Sequence, residues 1–191
     1  MSYIRGGEIF RYPWYMRIIF FLQRRRHGRE LEPVRLWGRL PLAYLGMAAM
    51  YRALDRKTSH IDPELRSLVQ VLISRINCCD FCIDLNSFAG LERGTTPEKL
   101  QSLLAFEQSP LFSEQEKAAL CYATAVTHSE RKIDAKMISH LRRHFVDQAI
   151  VELAALIAYQ NMSSKFNAAL GIAAHGFCDI YTHEDLNSRG K

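Results

Sequence analysis

The stretch "DPELRSLVQVLISRINCCDFCIDLNS", residues 62–87, decides the fold, because two helix signatures meet in it around three cysteines. Asp62 stands at a capping position, and Pro63 follows in the first turn, where a missing N–H costs nothing. Leu65, Leu68, Val69, Leu72, Ile73 and Ile76 then recur at three- and four-residue steps, the spacing of one helical face. Arg75, Ile76 and Asn77 end that helix. Cys79 falls where a second one begins, and Phe81, Leu85, Phe88 and Ala89 continue its apolar face.

The same devices recur outward from this centre. "TTPEKLQSLLAF" pairs Thr96 with Pro97, and "SEQEKAALCYATAVTH" sets Ser113 and Glu116 at capping-box spacing ahead of a small-residue face. "DAKMISHLRRHF" is a shorter amphipathic helix with Met137, Leu141 and Phe145 inward. A long segment starts at Asp147 and ends near Gly171. Its part from Ile150 to Tyr159 is apolar around most of the circumference, which predicts a central helix. No alternating strand, glycine-rich phosphate loop or solenoid repeat interrupts the pattern. The fold class is therefore all-α: an N-terminal arm over residues 1–40, a helical domain over 41–175, and a polar tail over 176–191.

A length of 191 residues with 48% hydrophobic side chains supports one domain that needs no covalent staples. Five cysteines, three of them clustered and Cys121 and Cys178 isolated, do not form a secreted disulfide framework. A reducing, cytoplasmic compartment is the expectation. The net charge of +5 is uneven: residues 1–57 hold twelve Lys and Arg against four acidic residues, a net of +8.

Such an arm suits an acidic neighbouring subunit. "RRRHGR", residues 24–29, lacks the stacking aromatics or recognition helix of a nucleic-acid module. The apolar run in "YPWYMRIIFFLQRRRHGRE" is broken by Arg17 and is shorter than the roughly 20 residues a span requires. Neither a nucleic acid nor a membrane is expected as partner. Trp14, Phe20 and Phe21 read as exposed, which predicts that the arm contributes to subunit contacts.

The cysteines carry the chemistry. Cys79 and Cys82 lie three apart on one helical face, close enough to bridge, in a first turn whose dipole and unpaired N–H groups favour thiolate. Those are the requirements of thiol–disulfide exchange. Zinc competes for the same side chains, but no second paired spacing supplies the remaining ligands, and no metal or cofactor is expected. Burial as inert side chains is the bland alternative. It suits Cys121 and Cys178 best, and Cys78 reads as packing.

His128 reads as a helix cap, and His140 and His144 as a solvated face beside Arg142 and Arg143. His175 has no assignable place. Asn161, Ser163, Ser164, Lys165 and Asn167 form a polar interruption of the central helix, with Lys165 reaching the surface.

Residues 62–87, "SPLFSEQEKAALCYATAVTH" (109–128) and "LAALIAYQNMSSKFNAALGI" (153–172) together resemble the carboxymuconolactone decarboxylase family, in its alkylhydroperoxidase D-like branch. The resemblance implies a compact all-helical bundle that assembles into trimers or hexamers. It also implies a Cys-x-x-Cys pair that reduces organic hydroperoxides and is recharged by an external dithiol, in the branch's best-known members a lipoylated protein. By resemblance Cys82 is the peroxidatic thiolate and Cys79 the more exposed resolving thiol.

The family's glutamate and histidine positions are here Ser67 and Asn86, two departures. An amide one turn from Cys82 can hydrogen-bond a thiolate but cannot relay a proton near neutral pH. Glu64, one turn before Ser67, is a candidate displaced carboxylate, with first-turn dipole pairing as its simpler role. Asp80 and Asp84 flank the pair and oppose thiolate formation. The expected activity is that of a thiol-dependent oxidoreductase, by peroxide reduction or disulfide exchange. The alternative is a non-enzymatic oligomeric ligand-binding or scaffold protein that has lost the relay.

Overall fold

The computed structural model describes residues 2–178, so most of the polar tail lies outside the described residues. Among these residues the regular structure is helical, with no strand. The α-helices are α1 (Trp14–His27), α2 (Glu32–Trp37), α3 (Pro41–Leu54), α4 (Pro63–Ile76), α5 (Asp80–Glu92), α6 (Pro97–Gln101), α7 (Glu114–Thr127), α8 (Ala135–Leu141) and α9 (Asp147–Ala169). Short 3₁₀ turns precede α1 and follow α6.

The expected caps are present. Asp62 accepts from the N–H of Glu64 at 2.8 Å, and Thr96 from that of Lys99 at 3.2 Å. Ser113 and Glu116 close a full capping box. Each supplies a partner to amide groups that a helix start leaves unpaired.

α4 is the axis of the domain. Every residue from Leu65 to Ser74 is buried, because α5, α7 and α9 pack around it and cover its polar face as well. Leu68, Val69, Ile73, Leu120, Leu153 and Ile157 form the centre of this core. Sequence period finds only its apolar half. Ser67, Gln70 and Ser74 are buried by tertiary packing.

A second core lies between α1, α2, α5 and the segment after α9. Met16, Phe20, Leu31 and Val34 meet Cys79, Phe81, Cys82, Ile172 and Phe177 there. Gly28 ends α1 at φ 72°, a left-handed cap that turns the chain back into α2. Trp37 stacks on Phe166 of α9 with ring centroids 4.0 Å apart. Tyr3 N–H donates to the Leu170 carbonyl at 2.9 Å, and its ring lies where a Cβ on Gly171 would stand.

Phe20, expected to be exposed, is 1% exposed, because it faces Tyr12 and the α5 side of this core. Trp14 and Phe21 on the opposite face of α1 remain exposed. No helix of the described residues is long and apolar enough to cross a membrane.

Candidate functional site

The turn between α4 and α5 positions the cysteines. Cys78 adopts φ 51°, the left-handed conformation that glycine normally supplies after a helix. Its N–H donates to the Arg75 carbonyl at 3.1 Å, and that of Cys79 donates to the Ser74 carbonyl at 2.9 Å. This paired closure ends α4 and delivers Cys79 to the N-cap of α5. Cys78 is exposed, so it is a turn residue and not the packing residue expected.

Cys79 Sγ takes the capping role usually filled by oxygen and accepts from the Cys82 N–H at 3.2 Å. The two cysteines are joined in a disulfide, with Cα atoms 5.3 Å apart. Both are buried, Cys79 to 1% and Cys82 to 4% exposure, so Cys79 is not the more exposed member. The arm and the segment after α9 bury it, and neither contribution is visible in the local sequence. Asn167 of α9 donates from Nδ2 to Cys82 Sγ at 3.2 Å.

Cys82 opens onto a cleft of about 440 Å³, within the range of small-molecule sites. Cys79 does not line it. α5 contributes Leu85, Asn86 and Phe88; α9 contributes Tyr159, Gln160, Ser163 and Asn167; and Tyr51 and Asp55 come from the end of α3. The arm closes one side with Arg26, His27 and Leu31. A larger and more open hollow of about 720 Å³ is lined by the N-terminal segment and the α2–α3 turn. No cysteine is among the residues lining it.

The polar lining of the Cys82 cleft combines amides and phenols with the charged Arg26, Asp55, Glu92 and Arg93. Asn86 Nδ2 and Gln160 Nε2 both donate to Ser74 Oγ, at 3.2 and 3.0 Å, and Gln70 Nε2 donates to Gln160 Oε1 at 3.3 Å. Burial raises the pKa of Tyr159, as do the neighbouring Tyr51 and Tyr44, so its phenol stays protonated. Burial and Asp55 likewise raise Tyr51, against smaller lowering by Arg93 and Gln70. Burial, then Arg26, lowers the His27 pKa, which keeps that imidazole neutral near pH 7.

The structure brings Cys82 and Asn86 to one cleft with Cys79 behind them. Asn86 donates its Nδ2 to Ser74, and the side-chain hydrogen bond to the Cys82 sulfur comes from Asn167 instead. Ser67 is buried, and Arg93 Nη1 donates to its Oγ at 3.3 Å while Nη2 holds Asp55 at 2.7 Å. A cation thus reaches the residue that stands at the resembling family's carboxylate position. Glu64 is bound to Lys99 at 3.0 Å and lies outside the cleft lining.

Asp80 is exposed. Asp84 accepts backbone N–H bonds from His175, Phe177 and Cys178 at 2.8, 3.1 and 2.9 Å, anchoring the segment after α9. His175, unplaced from sequence, packs its ring edge-on to Phe81 at 4.9 Å. Burial, then Arg29, lowers its pKa. His128 caps α7, Lys165 is exposed, and burial followed by Glu107 raises the Cys121 thiol. No three His, Cys, Asp or Glu side chains of the described residues gather as a metal site.

Sequence reasoning missed the role of Asn167, which it grouped with a polar interruption. The available signal was the spacing of Gln160, Ser163 or Ser164, and Asn167 at three- to four-residue steps, a polar stripe facing one way along an apolar helix.

An Escherichia coli K12 protein, YnjA, is 40% identical over 168 residues, spanning 88% of this chain and 92% of YnjA. A model of the carboxymuconolactone decarboxylase family matches residues 41–125, from α3 into α7. The chain belongs to the carboxymuconolactone decarboxylase family. The fold is that of its alkylhydroperoxidase D-like members. The alkylhydroperoxidase AhpD core of a peroxidase-related protein from Ralstonia eutropha superposes with a TM-score of 0.82 over 92% of this chain and 94% of that one, at 18% identity. A variant of the debrominase Bmp8 in complex with 2,3,4-tribromopyrrole superposes at 0.78 over 96% and 97%, at 20% identity. At these identities the likeness establishes the fold. This helical framework is thus shared with a peroxidase-related protein and with a debrominase.

Proposed function

We propose that the protein is a thiol-dependent oxidoreductase that cycles Cys79 and Cys82 between dithiol and disulfide while reducing an organic hydroperoxide. The observation that carries this reading is a bridged cysteine pair of which Cys82 alone faces a small-molecule cleft. Reduced Cys82, in the first turn of α5, is favoured as thiolate by the helix terminus. It attacks the peroxide, forms a sulfenic acid and releases an alcohol; Cys79 then displaces water to close the disulfide. An external dithiol, such as a lipoyl group on a partner protein, returns both thiols by exchange.

Asn86 cannot shuttle a proton, so the alkoxide is protonated from water in the cleft, and turnover is slower than with an imidazole in that place. The exposed apolar side chains Trp14, Phe21, Leu22, Leu40 and Leu42 support a homo-oligomer, trimeric or hexameric. Light scattering on the full chain tests the assembly, and a monodisperse monomer contradicts it.

The activity is tested by steady-state reduction of cumene hydroperoxide with dihydrolipoamide. The expected result is turnover that Cys82→Ser abolishes and Cys79→Ser arrests after a single oxidation. One observation favours the rival, a ligand-binding member without turnover: both relay positions are spent on other contacts, Ser67 under Arg93 and Asn86 on Ser74. In that case the wild type consumes no peroxide and its Cys82 thiol reacts slowly with alkylating agents.

A further inference from the structure

The amide of Asn167 is 2% exposed and touches Cys82 Sγ through Nδ2, yet its Oδ1 has no hydrogen-bond partner among the described residues. Leaving a buried carbonyl oxygen unpaired is costly, and native sites rarely tolerate it without a use. The orientation has a physical reason. A disulfide sulfur carries lone pairs and no hydrogen, so the NH₂ end must face it. The acceptor end is left over, on a residue that lines the same cleft as Cys82.

We propose that Asn167 is a catalytic residue that works at both ends: Nδ2 holds Cys82 as a thiolate after reduction, and Oδ1 accepts the O–H of the incoming hydroperoxide. This rests on the thiol chemistry proposed above and specifies its substrate end. A thiolate is a far better acceptor than a disulfide sulfur, so the existing contact strengthens on reduction.

The other charges around the cysteine are already committed or stand elsewhere. On α5, Asp84 is taken by three backbone N–H groups and Asp80 faces solvent. Asp55, after α3, is shared by Arg66 and Arg93. Arg26 and neutral His27 approach from α1, the phenols of Tyr51 and Tyr159 from α3 and α9, and Glu92 from the end of α5. No side chain of these residues hydrogen-bonds Cys82 Sγ in the structure, whereas Asn167 does.

With the O–H on Oδ1, the distal peroxide oxygen lies beside the sulfur. The thiolate forms the S–O bond as the O–O bond breaks. The bonding pair leaves with the alkoxide, which takes a proton from water. The transferred oxygen keeps its hydrogen as the sulfenic acid, still held by Oδ1. Cys79 then attacks Cys82, and water departs as the disulfide forms. The peroxide is reduced by two electrons and the two thiols are oxidised by two.

The test compares wild type, Asn167→Leu and Asn167→Asp in the reduced full-length protein. Isotope-coded iodoacetamide, read at the Cys82 peptide across pH, gives the thiolate midpoint. Loss of the same thiol to cumene hydroperoxide gives the peroxide rate. Asn167→Leu should raise the midpoint by about 1–2 pH units, the worth of one hydrogen bond to a charged group. It should also slow the peroxide step about tenfold at a pH where Cys82 is fully ionised.

Asn167→Asp keeps the acceptor and replaces the donor with a like charge. Its midpoint should rise at least as far, with a peroxide rate at full ionisation near that of wild type. Should the leucine variant fail to fold, Asn167→Ala, which removes both ends of the amide without adding bulk or charge, takes its place in both comparisons. Unchanged midpoints overturn the donor role, and equal peroxide rates in wild type and Asn167→Leu at full ionisation overturn the acceptor role. A wild-type Cys82 that meets cumene hydroperoxide no faster than free dithiothreitol sinks the proposed activity instead, and the alkylation midpoints then decide the hold of Asn167 on Cys82.

Discussion

Where α4, α7 and α9 meet, the centre of the core is aliphatic, with Leu68, Leu120, Leu153 and Ile157 fully enclosed. The core shared by α1, α2 and α5 instead mixes aromatic and aliphatic side chains around a disulfide, and both ends of the described chain reach into it. The first core holds the bundle together. The second encloses the cysteine pair, and residues distant in sequence must arrive before that enclosure exists. The two cores thus separate the packing of the bundle from the surroundings of the cysteine pair.

That separation can be broken with single substitutions. Phe20→Ala removes a fully buried ring from the second core and should cost about 3–5 kcal/mol. Hydrogen exchange should then rise first in α1 and α5. Leu153→Ala, in the first core, should cost about 2–5 kcal/mol and lower protection in α4, α7 and α9 together. Identical exchange patterns for the two variants would mean that the cores are one cooperative unit.

Glu152 ties α9 to the turn before α4. Burial disfavours its charge, but bonds from His60, from Ser59 and from the His60 backbone N–H prevail, and its pKa falls from 4.5 to about 2. Arg56 completes the set. A depressed carboxyl pKa contributes stability that is complete above 4.5 and is lost as pH falls from there towards 2. Glu152→Gln should therefore lower stability at pH 7 by on the order of 3 kcal/mol. It should also flatten the acid limb of a pH–stability curve in that window. An unchanged acid limb would assign the loss to other carboxyls.

Asp84→Asn keeps an acceptor for the segment after α9 but removes the charge that three N–H groups converge on. A loss of about 1–2 kcal/mol is expected. Limited proteolysis should then cut near His175 before cutting within the bundle. The smallest effect runs the other way. Cys78→Gly relieves a left-handed conformation on a non-glycine residue and should stabilise by about 1 kcal/mol, read as a higher Tm with Cys79 and Cys82 untouched.

The first core was largely legible in the sequence, because caps such as Asp62 with Pro63, or Ser113 with Glu116, and the apolar period after them are local signals. The cysteine pair was legible for the same reason, as a spacing within one turn. The surroundings of the pair were not. The burial of Cys79 depends on the arm and on the segment after α9. The partner of Cys82 is Asn167, 85 residues away. Ser67 and Asn86 were identified as departures from the resembling family, but the destination of each side chain was tertiary: Arg93 reaches one and Ser74 receives the other. Phe20 shows the limit on a single helix, where a basic amphipathic pattern leaves open which apolar stripe meets the protein.

The most direct test of the redox reading is peptide mass mapping of the reduced full-length protein after one equivalent of cumene hydroperoxide. One product should dominate, a bridge between Cys79 and Cys82 that dihydrolipoamide reverses, with Cys78, Cys121 and Cys178 still alkylatable. Stable oxidation at Cys121 or Cys178 with Cys79 and Cys82 left as thiols would contradict it.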